Sequence, residues 1–205
     1  MFATSRQLGR IPVIAITGLP GSGKTTFLNR LLHLPELART VVLTTTGENK
    51  VAFDHERVLF LPPADFVSES GCLCCDMRSA LGDTLRELFL KALAKKIPSI
   101  DRVIIETPAI DPAQLKFTLR HAPFLGQRYV YQGTFFVLDV TRVAISGLSK
   151  VDHEGISHTE TVVLAKNDLI DISKQNQMLE ELRASYPVKR FVRSDQASQV
   201  LMPII

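Results

Sequence analysis

Little in this sequence departs from balance. Lys and Arg number 24 against 21 Asp and Glu, a net charge of +3. That is too small to argue for a nucleic-acid partner, and no Lys/Arg-rich cluster follows an aromatic pattern. No apolar run approaches the length that spans a bilayer, so no membrane partner is expected. Between Arg6 and Gly18 there is only a short apolar stretch, so no signal peptide is expected either. There is no internal repeat, low-complexity segment or linker. Cysteine is scarce, with three in 205 residues, which excludes a disulfide framework and makes a reducing, cytoplasmic setting the default. Yet all three fall within Cys72-Leu73-Cys74-Cys75, a clustering that composition does not anticipate. At 45% hydrophobic and 22% charged residues, the expectation is one sizeable core in a single domain over residues 1–205.

What is present is concentrated at Gly18-Leu19-Pro20-Gly21-Ser22-Gly23-Lys24-Thr25-Thr26. Ahead of it, Ile11 to Thr17 is short, apolar and β-branched and reads as a buried strand; behind it, Phe27, Leu28, Leu31 and Leu32 fall at helical spacing. Strand, glycine loop and helix form the context that a G-x-x-x-x-G-K-[ST] motif requires. The glycines let the backbone curl until consecutive N–H groups converge on one phosphate, and the helix N-terminus adds its partial positive charge there. Gly18, Gly21, Ser22, Gly23, Lys24, Thr25 and Thr26 are therefore the expected nucleotide-binding residues. Lys24 would reach the β- and γ-phosphate oxygens, and Thr25 would offer its hydroxyl to Mg²⁺.

The rest of the chain alternates. Strands are predicted at 40–44, 57–61, 103–106, 134–139, 161–164 and 188–192. Helices are predicted from about Met77 (Leu81, Leu85, Leu88, Phe89 and Ala92 on one face, Asp76 as cap), at 113–121, 141–148 and 173–185. Gly126 to Gly133 reads as a glycine-bounded loop, Ser149 to His158 as irregular, and the chain from Ser194 as a weakly patterned tail. Strands alternating with helices predict an α/β fold, a single P-loop NTPase domain with a mostly parallel sheet covered on both faces. Ligands of such sheets lie beyond the carboxyl ends of the strands. The residues of interest there are the glycine loop, Thr44 to Glu48, Glu106-Thr107, Asp139, and Lys166 with Asp168.

An aspartate at position 168 can accept from both N1–H and N2–H₂ of guanine, a donor pair that adenine lacks, and Lys166 can lay its methylene stem along the purine face. A surface lysine followed by a helix-start aspartate is the plainer alternative. Cys72, Cys74 and Cys75 stand at the mouth of a predicted helix, whose dipole favours thiolates. Thiolates select soft or borderline cations. Three ligands leave a zinc site open, or completed by a carboxylate, a histidine or a second subunit; three small buried hydrophobes are the alternative. Asp139 reads as an ordinary strand-end turn residue, with contact to Mg²⁺ through water as the lesser alternative. Glu48, Asp54 and His55 lie in an expected switch loop and read as solvated; His153 and His158 flank a charged segment, with a metal role as the lesser alternative, and His33 and His121 need no function.

With these residues in view, the chain resembles the CobW/HypB/UreG family of P-loop GTPases, and within it the CobW-like branch of metal chaperones. The resemblance runs from about Ile11 to Asp168. It rests on Gly18 to Thr26 with Asn29-Arg30-Leu31-Leu32, on Gly71-Cys72-Leu73-Cys74-Cys75, on Glu106-Thr107 and on Lys166-Asn167-Asp168. It implies GTP binding and hydrolysis coupled to delivery of zinc, cobalt or nickel to a client protein. It further implies Glu106 as the acidic residue on the Mg²⁺ and water side, beside Lys24 and Thr25, and Cys72, Cys74 and Cys75 as ligands of the transition metal.

The departures from the family pattern are specific. The usual Asn-Glu-Phe-Gly-Glu reads Thr44-Thr45-Thr46-Gly47-Glu48, without its first acidic residue. The Glu-Thr-x-Gly switch reads Glu106-Thr107-Pro108-Ala109, without the glycine whose N–H would contact the γ-phosphate. The Asn of Asn-Lys-x-Asp is Ala165. The family's separate C-terminal domain is not matched. These features predict slow hydrolysis, or dependence on a homodimer or a partner that supplies the missing parts. Two other readings stay open. One is a nucleotide- and metal-dependent binding module without useful turnover. The other is a small-molecule P-loop kinase, for which no Arg-rich lid stands between Ser149 and His158.

Overall fold

Among the described residues seven strands, most of them rich in apolar and β-branched residues, line up as one sheet. The computed structural model describes residues 9–44, 58–60, 80–106 and 112–196. In chain order the elements are β1 (Ile11–Thr17), α1 (Lys24–Leu32), a 3-10 turn (Pro35–Leu37), β2 (Thr40–Thr44), β3 (Val58–Phe60), α2 (Ala80–Leu93), β4 (Arg102–Glu106) and α3 (Pro112–His121). They continue with α4 (Pro123–Arg128), β5 (Tyr129–Asp139), α5 (Val140–Ser146), α6 (Lys150–Ser157), β6 (Thr161–Ala165), a 3-10 turn (Asn167–Leu169), α7 (Ile172–Ser185) and β7 (Arg190–Arg193). The sheet order is β3-β2-β4-β1-β5-β6-β7, and every pairing in it is parallel.

Both faces are covered, which is why the strands read as continuous apolar runs and not as alternating ones. Ile14, Ile16, Val42, Ile104, Phe135, Val137 and Val163 pack on one face with Phe27, Leu28, Leu31 and Leu32 of α1. The alternate residues Val13, Ala15, Val41, Leu43, Val103 and Ile105 pack on the other with Leu81, Leu85 and Leu88 of α2, Leu115 and Leu119 of α3, and Leu125 of α4. Farther along that second face, Phe136, Leu138, Val162 and Leu164 meet Ile156 of α6 and Leu182 of α7. After β1 the chain turns toward β2; from β4 it returns past β1 to β5. β1 is thus the topological switch point, and the crevice beyond its carboxyl end is the position where such sheets take ligands.

Two sequence expectations are corrected. Residues 126–133 are not a loop: α4 occupies Pro123–Arg128, and β5 begins at Tyr129. Pro123 starts a short helix with Leu125 buried, and the buried Tyr129 hydroxyl donates to the Leu85 carbonyl at 2.7 Å. A register shift against β1 accommodates the start of this long strand, and next to it Gly133 has a φ of 152°, while Thr134 N donates to Glu160 at 2.9 Å. The two glycines had marked loop ends, but the second sits at an irregularity inside the strand. Residues 149–158 are not irregular either. Ser149 and Asp152 form a reciprocal capping box that starts α6, and Asp152, 1% exposed, also accepts from Arg142 of α5 at 2.6 Å. Ile156 buries the helix against the sheet. Charge density had hidden a well-formed cap.

Candidate functional site

The glycine loop sits between the carboxyl end of β1 and the amino end of α1. Gly18 has a φ of 150°, and a Cβ there would lie 2.5 Å from the Val137 carbonyl oxygen of β5. Gly23, at φ 98° and ψ 16°, is the left-handed N-cap of α1; a Cβ there would lie 3.2 Å from the Cβ of Ala165 at the end of β6. The loop is therefore pressed against two other strand ends, and glycine is required at both points of closest approach. Ser22 N donates to the Leu19 carbonyl at 3.1 Å, tightening the turn. The first turn of α1 carries no acidic residue of its own, which suits an anion at this helix N-terminus.

Lys24 is 6% exposed, and its Nζ donates to the carbonyls of Gly18 at 2.9 Å and Leu19 at 3.0 Å. Burial lowers its pKa from the ordinary lysine value, and the nearby Glu106 carboxylate works against that shift. A phosphate entering the loop would offer this ammonium a charged acceptor in place of carbonyl oxygens. Ser22 Oγ is buried with no hydrogen-bond partner among the described residues, a polar group that a bound oxyanion could satisfy. Thr25 is half-buried and Thr26 exposed at the same helix end. Glu106 ends β4, lies in register with Ile16 of β1 and Thr44 of β2, and is 1% exposed. Its Oε2 accepts a hydrogen bond from Thr44 Oγ1.

The second half of the site lies across β5 and β6. Lys166 follows β6 in the left-handed region, at φ 63° and ψ 31°, and leads into the 3-10 turn that carries Asp168. Asn167 is buried, its Nδ2 donating to Leu164 O at 2.6 Å, whereas Asp168 is exposed. Lys166 Nζ reaches back to the end of β5 and pairs with Asp139 Oδ2 at 2.5 Å. Asp139 is also the N-cap of α5, its Oδ1 accepting from Thr141 N, Thr141 Oγ1 and Arg142 N at 3.0, 2.6 and 3.2 Å. Partial burial would raise the Asp139 carboxyl, but the hydrogen bonds from Lys166, Thr141 and Arg142 outweigh it and hold the pKa below the usual aspartate value.

The contact of Gly23 with Ala165 brings the two halves together: the phosphate loop and the Lys166–Asp168 turn share one rim. One residue of that rim was missed. Ser194, just past β7, is buried, donates its N–H to Leu164 O at 2.8 Å and accepts from Arg30 of α1 at 3.1 Å. It ties the loop helix to the end of the outer strands. The only sequence signal for it was its place after a predicted strand. Cys72, Cys74 and Cys75, the Thr45 to Asp54 stretch and Thr107 to Ala109 lie outside the described residues. Among the described residues no cluster of His, Cys, Asp or Glu could hold a metal ion, and no helix is long and apolar enough to cross a membrane. A hollow of about 480 Å³ between α5, α6 and α7 involves none of the expected site residues.

Residues 12–193 match the family model described as CobW/HypB/UreG, nucleotide-binding domain. The chain is 27% identical over 190 residues to the zinc chaperone YjiA of Escherichia coli, covering 90% of this chain and 58% of that protein. It is 26% identical over 174 residues to zinc-regulated GTPase metalloprotein activator 1 of Schizosaccharomyces pombe, covering 80% and 40% respectively. In fold it is similar to the crystal structure of Zn(II)-bound YjiA GTPase from E. coli, with a TM-score of 0.57 at 21% identity over 85% of this chain and 54% of that one. It is similar too to HypB from Helicobacter pylori in complex with nickel, with a TM-score of 0.51 at 18% identity over 92% and 81%. The chain spans about half the length of the curated relatives it matches. A glycine loop at the switch point of a parallel sheet and a family match over nearly all of it lead to one conclusion: the chain belongs to the CobW/HypB/UreG family of P-loop GTPases and carries that family's nucleotide-binding domain.

Proposed function

We propose that this domain binds GTP with Mg²⁺, hydrolyses it slowly, and couples the nucleotide state to holding or handing over a transition metal, zinc, cobalt or nickel, through Cys72, Cys74 and Cys75. The observation that carries the nucleotide half is the packed glycine loop, with buried Lys24, the satisfiable Ser22 hydroxyl and a helix N-terminus free of acidic residues. The metal half is supported by three adjacent thiols, a donor set for borderline cations, and by the likeness to proteins named zinc chaperones.

Gly18, Gly21, Ser22, Gly23, Lys24, Thr25 and Thr26 hold the phosphates, and Lys166 and Asp168 hold the guanine. Hydrolysis needs water to attack the γ-phosphorus while the bond to the β–γ bridging oxygen breaks, so the protein's task is positioning and charge stabilisation. Lys24 meets the charge developing on the β–γ oxygens. Glu106, held by Thr44, stands on the side from which water approaches. The hydroxyl of Thr25 and the carboxylate of Glu106 are hard oxygen donors that suit Mg²⁺, which when bound would neutralise phosphate charge. The metal passes to a client protein in the cytoplasm. A second copy of the chain or a separate partner takes part in that transfer.

The deciding experiment is to purify the chain under reducing conditions without chelator and to measure bound nucleotide, bound metal and phosphate release from GTP. Guanine nucleotide and a thiol-dependent metal, with slow release, support the proposal. Both ligands without any release favour the binding-module reading. ADP bound as tightly as GDP, or thiols that take up no zinc, cobalt or nickel, overturn it.

A further inference from the structure

Lys166 and Asp139 form a pair whose geometry goes beyond an ordinary ion pair. Asp139 and Ala165 are register partners at the ends of β5 and β6, so Lys166, one residue on, must fold its side chain back across both strand ends to place Nζ 2.5 Å from Asp139 Oδ2. The backbone turn that lets it do so is left-handed, a conformation a lysine rarely holds unless its surroundings over-determine it. The carboxylate that receives it cannot swing away freely. Its other oxygen accepts from Thr141 N, Thr141 Oγ1 and Arg142 N, and those bonds start α5. Asp139 is thus an abutment clamped to a helix, and Lys166 is the strut laid against it. The strut crosses the strand ends beside the phosphate loop, which touches Val137 of β5 and Ala165 of β6.

We propose that Asp139 is a specificity-determining positioning residue. By anchoring Lys166 it holds the left-handed turn and the 3-10 turn behind it, and so fixes where Asp168 meets the base. This rests on the reading that Asp168 recognises guanine. The energetic logic is preorganisation: a turn held before the ligand arrives need not be ordered by binding. Discrimination between guanine and adenine depends on the carboxylate standing within hydrogen-bond geometry of both guanine donors, which a loose turn cannot ensure. Phosphate binding does not pass through this turn and is therefore expected to be indifferent to it.

The test uses the full chain with D139N, which keeps the size and the capping oxygen but loses the charge that holds Lys166. It is paired with D139S, which caps helices well but is too short and neutral to hold the lysine. Affinities for GDP, ADP and inorganic pyrophosphate are measured by calorimetry for each, for K166M and for the double variant D139N/K166M. The expected result is a fall of at least tenfold in the preference for GDP over ADP in D139N and D139S, with pyrophosphate affinity within twofold of the unsubstituted protein. D139N is expected to add nothing in the K166M background. An unsubstituted protein that prefers GDP, with D139N or D139S keeping that preference, overturns the proposal alone. Equal losses for GDP, ADP and pyrophosphate assign Asp139 a merely structural role and also overturn it. An unsubstituted protein that binds GDP and ADP alike overturns the guanine reading itself, and this proposal with it.

Discussion

Thr44 at the end of β2 donates its hydroxyl hydrogen bond to Oε2 of Glu106 at the end of β4, and the two residues are register partners with both side chains buried. A hydrogen bond to a buried carboxylate contributes about 1.5–3 kcal/mol. Thr44→Val keeps the shape and removes the donor, so stability is expected to fall by about that amount in denaturant titrations. If Glu106 orients the attacking water, GTP turnover should fall roughly tenfold, about 1.4 kcal/mol of barrier, with GDP affinity unchanged. Turnover that survives intact would show that Thr44 does not position Glu106 for the reaction.

Intrinsic hydrolysis by the chain alone is expected on the order of 10⁻⁴ s⁻¹, at or below the rate of unassisted P-loop switches. Relative to the family pattern described above, the sequence has Pro108-Ala109 in place of the switch glycine and Thr45 in place of an acidic residue. Lys24→Ala should abolish the remaining turnover in a single-turnover phosphate-release assay. A rate of several per second would show that these departures do not matter.

If Asp168 accepts from guanine, its removal should be visible at equilibrium. Asp168→Ala is expected to weaken GDP by about 2–4 kcal/mol, because a charged two-donor contact is lost and the guanine donors are left unpaired. ADP affinity should change little. Fluorescent-nucleotide titration separates the two.

Acid stability follows from Asp152 and Asp139. Burial alone would raise the Asp152 carboxyl, but hydrogen bonds from Arg142 and Ser149 hold its pKa below the usual aspartate value, as those from Lys166, Thr141 and Arg142 do for Asp139. A depressed folded-state pKa means that the unfolded chain binds protons first. The stabilisation is therefore complete above the unfolded value of about 3.9 and is lost as pH falls through the lower folded value. Unfolding midpoints should be insensitive to these two groups near neutrality and should drop steeply below about pH 4. Asp152→Ala should cost about 2 kcal/mol, since it removes the N3 half of the Ser149 capping box and the carboxylate that pairs with the partly exposed Arg142, and it should flatten the acid limb. An unchanged acid limb would show that other carboxylates govern it.

Zinc and nucleotide are expected to be linked. If the γ-phosphate alters the cysteine segment, zinc affinity should differ between GTP-analogue and GDP states by about 1–3 kcal/mol, with the reciprocal change in nucleotide affinity. Zinc affinity should also fall below neutral pH, because thiols must deprotonate to bind. Competition titrations with a zinc indicator, run in each nucleotide state, measure both. Identical affinities in the two states would uncouple the cysteines from the nucleotide.

The local chemistry was legible in the residues themselves. Gly18 to Thr26 between an apolar strand and an amphipathic helix, the runs at 40–44, 103–106 and 161–164, and the α/β architecture follow from turn chemistry and hydrophobic period, which act over a few neighbours. Only the tertiary structure decided the rest. That 126–133 is helix and strand depends on Leu125 and Tyr129 finding a core whose other members lie far away in sequence. That Asp139 is more than a turn residue depends on Lys166, brought within 2.5 Å by the pairing of β5 and β6. Ser194 became part of the rim because β7 pairs with β6 and Arg30 reaches it from α1. Sequence patterns report what a residue prefers among its neighbours along the chain; which distant group it faces is settled by strand order and register, and those are set by the packing of the whole sheet.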